Sequence, residues 1–142
     1  MDVTTLPFNR FLGLEPADEA SGALVSLPAG KQYTNHLGTV HASALLAVAE
    51  AASGAFLARQ FEDTAAYVPV VRRIEAMFRN PARGRVSART HVEPDDLERQ
   101  LTRLRDRGRC LIMVLVEVQD ESGVLALNAR VEWFISRVAQ GP

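Results

Sequence analysis

Cys110 is the only cysteine in the chain, so no internal disulfide can brace the fold. Charge of one sign is missing too. Sixteen Lys and Arg stand against seventeen Asp and Glu, a formal net charge of -1, which excludes the basic footprint of a nucleic-acid binder. The first residues lack the basic-then-apolar layout of a secretory leader. The stretch 37–58 is poor in charge, but Glu50 interrupts it and much of it is Ala rather than Leu or Ile. It reads as a buried helix rather than a membrane span. No heptad series, low-complexity tract or internal repeat is visible. These absences lead us to expect a cytoplasmic protein with neither a nucleic-acid nor a membrane partner.

What is present suffices for one core. The chain has 142 residues, of which 47% are hydrophobic, enough for one domain over 1–142 and too little for two. Residues 4–12 place Pro7 early and stop before Gly13, which predicts a short capped helix with Phe8, Phe11 and Leu12 on its apolar side. Gly22–Leu27 reads as a first strand and 31–39 as a loop. From Ala42 to Ala58 only Ser43, Glu50, Ser53 and Gly54 are not apolar, so a long helix buried on most faces is expected.

Strand-like runs follow at 67–79, 85–93, 109–119 and 124–135. The run Cys110 to Val116 is apolar throughout and predicts a central strand covered on both sides. Leu125, Leu127, Ala129, Val131, Trp133 and Ile135 alternate with more polar neighbours, the period of a half-buried strand. Asp120-Glu121-Ser122-Gly123 and Asn80-Pro81-Ala82-Arg83-Gly84 read as turns. Leu97, Leu101 and Leu104 recur at helical spacing, with Asp95 as N-cap and Gly108 as stop, predicting an inserted helix over about 95–106. One long helix against a mostly antiparallel sheet of five or six strands is an α+β architecture.

Glu50 is the most informative residue for chemistry. An ionised carboxylate removed from water costs several kcal/mol unless paired or neutralised, and packing alone would favour Ala or Leu there. Burial raises a carboxyl pKa toward the range useful to a general base. Its structural alternative is a place on a wet helical stripe. Upstream, Asn35, His36, Gly38, Thr39 and His41 crowd before the helix, whose first N–H groups lack internal partners. The Ala42 N–H is expected to be free to donate to a carbonyl oxygen that gains negative charge, unless Thr39 or water caps that end. Ala42 and Glu50 are eight residues apart, about 12 Å along a helix axis. If both act on one carbonyl, they must come from two subunits related by a two-fold axis.

The stretch Asn35-His36-Leu37-Gly38-Thr39-Val40-His41-Ala42-Ser43 with Ala49-Glu50 resembles the hotdog-fold thioesterase superfamily, in its phenylacetyl-CoA thioesterase-like branch. That pattern is Asn, six residues to His, a Gly-Gly pair, then an acidic residue nine after the His. Asn35, His41 and Glu50 match the spacing, while Ala42-Ser43 replaces the glycines. The run Arg73 to Gly84 is similar to the family's strand and turn, and the likeness extends from about Gly22 to the end.

The resemblance implies a central helix wrapped by the sheet and self-association as a homodimer or homotetramer. It implies hydrolysis of an acyl-CoA or acyl-carrier thioester with no cofactor, CoA being part of the substrate. Glu50 would activate water or act as the nucleophile, the Ala42 N–H would polarise the carbonyl, and Asn35 and His41 would orient substrate or water. Ser43 would border the acyl approach. Some relatives carry a hydroxyl one helical turn beyond the acid; position 54 is Gly here, with Ser53 as the nearby substitute.

Arg72, Arg73, Arg79 and Arg83 lie in and around the strand and its turn, where they are able to meet CoA phosphates or to form a solvated face. His36, His91 and Cys110 lack metal-ligand spacing, so no metal is expected, and Cys110 reads as a core residue. Two other readings stay open. One is an acyl-binding module without turnover, favoured by the replaced glycines and opposed by Glu50. The other is a hotdog hydratase or dehydratase, for which His41 is the only candidate histidine.

Overall fold

The structure, a computed structural model, describes residues 1–138. Its main elements are α1 (Pro7–Leu12), β1 (Glu15–Pro16), β2 (Val25–Leu27), α2 (Ala42–Ala58), β3 (Tyr67–Phe78), β4 (Val86–His91), α3 (Pro94–Arg107), β5 (Arg109–Asp120) and β6 (Leu125–Arg137). The six strands form one antiparallel sheet in the order β1-β2-β4-β5-β6-β3. One face of that sheet curves over α2, which packs against β2, β4, β5 and β6. This is the α+β hotdog architecture, and α2 has the expected bounds. Among the described residues no helix is long and apolar enough to cross a membrane.

Sequence explains the central elements. Leu45, Val48, Ala49 and Ala52 repeat at three- and four-residue steps on α2 and are buried, joining Val114, Val116, Val131 and Ile135 of the sheet in one core. The small Ala side chains let the strands come close to the helix axis. The β5–β6 hairpin closes as its sequence requires. Asp120 Oδ1 accepts the N–H groups of Ser122 and Val124, each at 3.0 Å, and Gly123 adopts φ 80°, where a side chain would be strained.

Several expectations need correction. The predicted 4–12 helix is a 3-10 turn over Val3–Thr5 followed by α1, with Leu6 between them in an extended conformation. Phe8 and Phe11 point outward, 64% and 84% exposed. The buried residue is Asn9, which donates from Nδ2 to the Val3 carbonyl at 2.9 Å. With fewer than two turns, α1 is oriented by that polar contact rather than by an apolar stripe.

The first strand is shorter than 22–27, because Gly22 takes φ 71° and ordered pairing starts at Val25. β5 is not covered on both sides within the protomer: Cys110, Ile112, Val114 and Val116 are buried while Leu115 is exposed. Its apolar run masks an alternating burial. α3 starts one residue early at Pro94, with Glu93 in the N-cap position and Asp95 in the first turn. Pro is well accepted at a first helical position, which shifts the start ahead of Asp95. Gly108 ends it at φ 70°.

β3 is the long edge strand of the sheet, the two-residue β1 forming the other edge. It bulges between Val71 and Arg73 and leaves Val68, Val70, Ile74, Met77 and Phe78 exposed.

Candidate active site

Glu50 sits at the middle of α2, half-buried, at an apolar cavity of about 320 Å³. The same helical face continues with Ala51, Gly54, Leu57 and Ala58, a spacing that places them in one stripe. Tyr67 and Pro69 of β3 and Trp133 of β6 supply the facing wall, and Val3 and Leu6 of the N-terminal segment close another side. No donor or cation among the described residues lies within bonding distance of the Glu50 carboxylate. Burial therefore pushes its pKa up from the ordinary 4.5, since a low-dielectric surrounding disfavours the charged form. The result is a carboxyl held at an apolar wall with its proton bound more tightly than in water.

The turn bearing Glu50 is tied to the sheet. Ser53, 0% exposed, donates its hydroxyl to the Glu50 backbone carbonyl at 2.7 Å and accepts the Trp133 indole N–H at 3.0 Å. This commits Ser53 to the interior, where it positions α2 against β6. Neither Trp133 nor the N-terminal wall was singled out from the sequence. Trp133 was legible only as an inward residue of an alternating strand.

At the start of α2 the loop 34–40 is organised by Asn35. Its Oδ1 accepts the N–H groups of Leu37 at 2.9 Å and Thr39 at 3.2 Å, and its Nδ2 donates to Thr39 Oγ1 at 2.9 Å. The Val40 N–H donates to the Ala82 carbonyl at 2.9 Å, joining this loop to the 80–84 turn.

His41 is the N-cap. Its Nδ1 accepts the Ser43 N–H at 3.0 Å, and its carbonyl accepts from Ala44 and Leu45. The Ala42 N–H has no acceptor among the described residues. Thr39 is therefore not the cap, and one free donor remains at the positive end of the helix. His41, Ala42 and Ser43 are all exposed.

The predicted residues thus form two groups rather than one. Asn35, His41, Ala42 and Ser43 gather at the start of α2, and Arg83, in the turn that the Val40 N–H joins to their loop, lines a small cavity with Tyr33, Thr34, Gly38 and Val40. Glu50 faces the larger cavity about 12 Å further along the same axis. The other arginines are engaged elsewhere: Arg73 pairs with Glu75, Arg72 reaches Glu132 at 3.8 Å, and Arg79 donates to Asn128 Oδ1 at 2.9 Å. Arg83 makes no ion pair among the described residues. His91 faces Glu93 at 3.1 Å, while Cys110 is buried and its thiol pKa is raised by burial.

The antiparallel sheet wrapped over α2 is the hotdog fold. Residues 11–135 match the domain of unknown function DUF4442, and the chain belongs to that family. Among solved structures it is similar to a probable thioesterase of unknown function from Pseudomonas aeruginosa, at 23% identity and TM-score 0.80, over 96% of this chain and 91% of that one. It is similar to a phenylacetic acid degradation-related protein from Ralstonia eutropha, at 21% identity and TM-score 0.65, over 92% and 90%. A Bacillus halodurans protein crystallised with CoA is also similar, at 17% identity and TM-score 0.67, over 90% and 74%. At these identities the likeness concerns the fold. No curated protein matches the chain.

Proposed function

We propose that this protein hydrolyses an acyl-CoA or acyl-carrier thioester to a free acid and a thiol. The observation that carries the proposal is an unpaired, half-buried carboxyl, Glu50, at an apolar cavity. A carboxylate so placed either takes a proton from water as the water oxygen bonds to the thioester carbon, or bonds to that carbon itself to form a mixed anhydride that water then opens. In both routes the carbon–sulfur bond breaks and the thiolate leaves, taking up a proton. Negative charge accumulates on the carbonyl oxygen, and the free Ala42 N–H at the helix start is suited to receive it.

Because Ala42 and Glu50 are too far apart on one helix to share a carbonyl, the reading requires two copies of the chain. The amide would come from one protomer and the carboxylate from its partner, in a homodimer or a pair of dimers. The exposed apolar edge of β3 is suited to that pairing. Asn35 supports the site by holding the loop, His41 by holding the first turn, and Ser43 would border the thioester. Arg83 is the cation best placed for a CoA phosphate, ahead of Arg73 and Arg79, and the relative crystallised with CoA favours a ligand of that class. The reaction needs no metal or further cofactor.

A second reading, acyl binding without turnover, draws on the exposed Ala42 and Ser43 side chains, which narrow the approach to the helix start. Thiol release from a panel of acyl-CoAs decides between them. Hydrolysis that drops about 10²–10⁴-fold in Glu50→Gln, with oligomeric state retained, supports the enzyme. A native protein that binds acyl-CoA and releases no thiol supports the binding module.

A further inference from the structure

We infer that the cavity beside Glu50 is a closed-ended groove for an unbranched apolar acyl chain of medium length, and that Gly54 sets which chains enter it. This rests on the thioester reading of Glu50 and extends it to the substrate's acyl half. The groove follows the α2 stripe from Glu50 to Ala58, a run of about 12 Å. Among the described residues Glu50 is the only charged side chain in its lining. The amide of Asn9, which also lines it, is spent on the Val3 carbonyl. An uncharged, apolar occupant is what such walls accept.

Past Ala58, Phe61 and Tyr67 both line the groove with ring centroids 4.8 Å apart, and in this inference that aromatic pair forms its far end. An extended chain advances about 1.2 Å per bond, so the run from carboxylate to aromatic stop accommodates about eight to ten carbons.

Gly54 lies one helical turn past Glu50, at the waist of this groove. A Cβ built there would stand 3.6 Å from Trp133 Cζ2 and 3.8 Å from Val3 Cγ1, ordinary contact distances. One carbon fits, and any branch beyond it must occupy the groove or displace Trp133 and Val3. The bare backbone of Gly54 therefore keeps the passage open, and a larger residue there would confine the site to short acyl groups. Ala58 has the same relation to the far end, where a larger side chain would shorten the groove without closing it.

The test uses the full chain with acetyl-, hexanoyl-, decanoyl- and hexadecanoyl-CoA, and compares kcat/KM ratios between chain lengths. The native protein is expected to favour decanoyl over hexadecanoyl. Gly54→Leu should lower the decanoyl-to-acetyl ratio by about 100-fold, and Ala58→Phe should move the preference to hexanoyl. Should Gly54→Leu fail to fold, Ala58→Phe carries the comparison alone.

Hydrolysis with no dependence on chain length, or with native ratios in the folded variants, would overturn the groove while leaving the thioesterase reading intact. Calorimetric titration with decanoic acid separates the opposite case. If no thioester is cleaved yet decanoic acid binds, and Gly54→Leu or Ala58→Phe abolishes that binding, the groove stands and the hydrolysis reading falls. If decanoic acid does not bind and no thioester is cleaved, both fall.

Discussion

Trp133 on β6 and Ser53 on α2 meet in the core, the indole N–H donating to the serine hydroxyl at 3.0 Å. The hydroxyl passes the connection to the Glu50 carbonyl at 2.7 Å. Ser53→Ala would leave the indole N–H, on a nearly buried residue, without its acceptor, at a cost of about 1–3 kcal/mol. Urea unfolding should show a lower midpoint with an unchanged slope. If activity also falls, it should do so less than in Glu50→Gln, since the carboxylate is retained.

Ala42 allows its N–H to be removed without disturbing the helix. It is the first residue of α2 and His41 before it is extended, at φ -63° and ψ 140°, a conformation that a following proline accepts. Ala42→Pro should therefore leave thermal stability close to native while lowering kcat by about 10²–10³-fold, as loss of an oxyanion donor does. Native turnover in this variant would remove the Ala42 N–H from the mechanism.

Glu50 also predicts a pH dependence. Its folded-state pKa is raised above the ordinary 4.5 by burial, so the folded chain holds this proton more tightly than the unfolded one. The carboxyl's contribution to stability is therefore fully present below pH 4.5 and is lost as pH rises through the raised folded value. Glu50→Gln, which cannot ionise, should lack that loss. Its stability relative to native should increase over this window in parallel unfolding titrations. Thioester hydrolysis should move the other way, increasing with pH as the carboxylate forms.

Val70 on the free β3 edge tests the two-copy site. It is 52% exposed, and a lysine there should oppose edge-to-edge pairing with little effect on the fold of a protomer. Light scattering on Val70→Lys should show a smaller particle than native, and hydrolysis should decline along with association. A monomeric variant with full activity would place the complete site within one chain.

Much of the architecture was legible in local pattern. The apolar run 42–58 became α2 with the same bounds, and the alternation from Leu125 to Ile135 became β6. Asp120 and Gly123 carried their hairpin in the sequence because side-chain acceptors and positive φ are properties of a few adjacent residues. The short helix was misread because Phe8 and Phe11 obeyed a periodicity that one hydrogen bond, from Asn9 to Val3, overrode. β5 was misread because an apolar run does not say which of its faces has a neighbour.

Glu50 could be recognised from sequence alone, since a lone carboxyl in an apolar helix is anomalous wherever the chain goes next. The free state of the Ala42 N–H could not, because it depends on His41 Nδ1 turning to Ser43 rather than leaving that end to Thr39. Nor could the cavity, whose walls come from residues as far apart as Val3, Gly54, Tyr67 and Trp133. The sequence by itself determined most of the elements and singled out Glu50 as an anomalous carboxyl, through short-range periodicity and the cost of burying charge. Only the tertiary structure decided what faces that acid, because the register of β3 on β6 and the path of the first nine residues are set by long-range packing that no local pattern encodes.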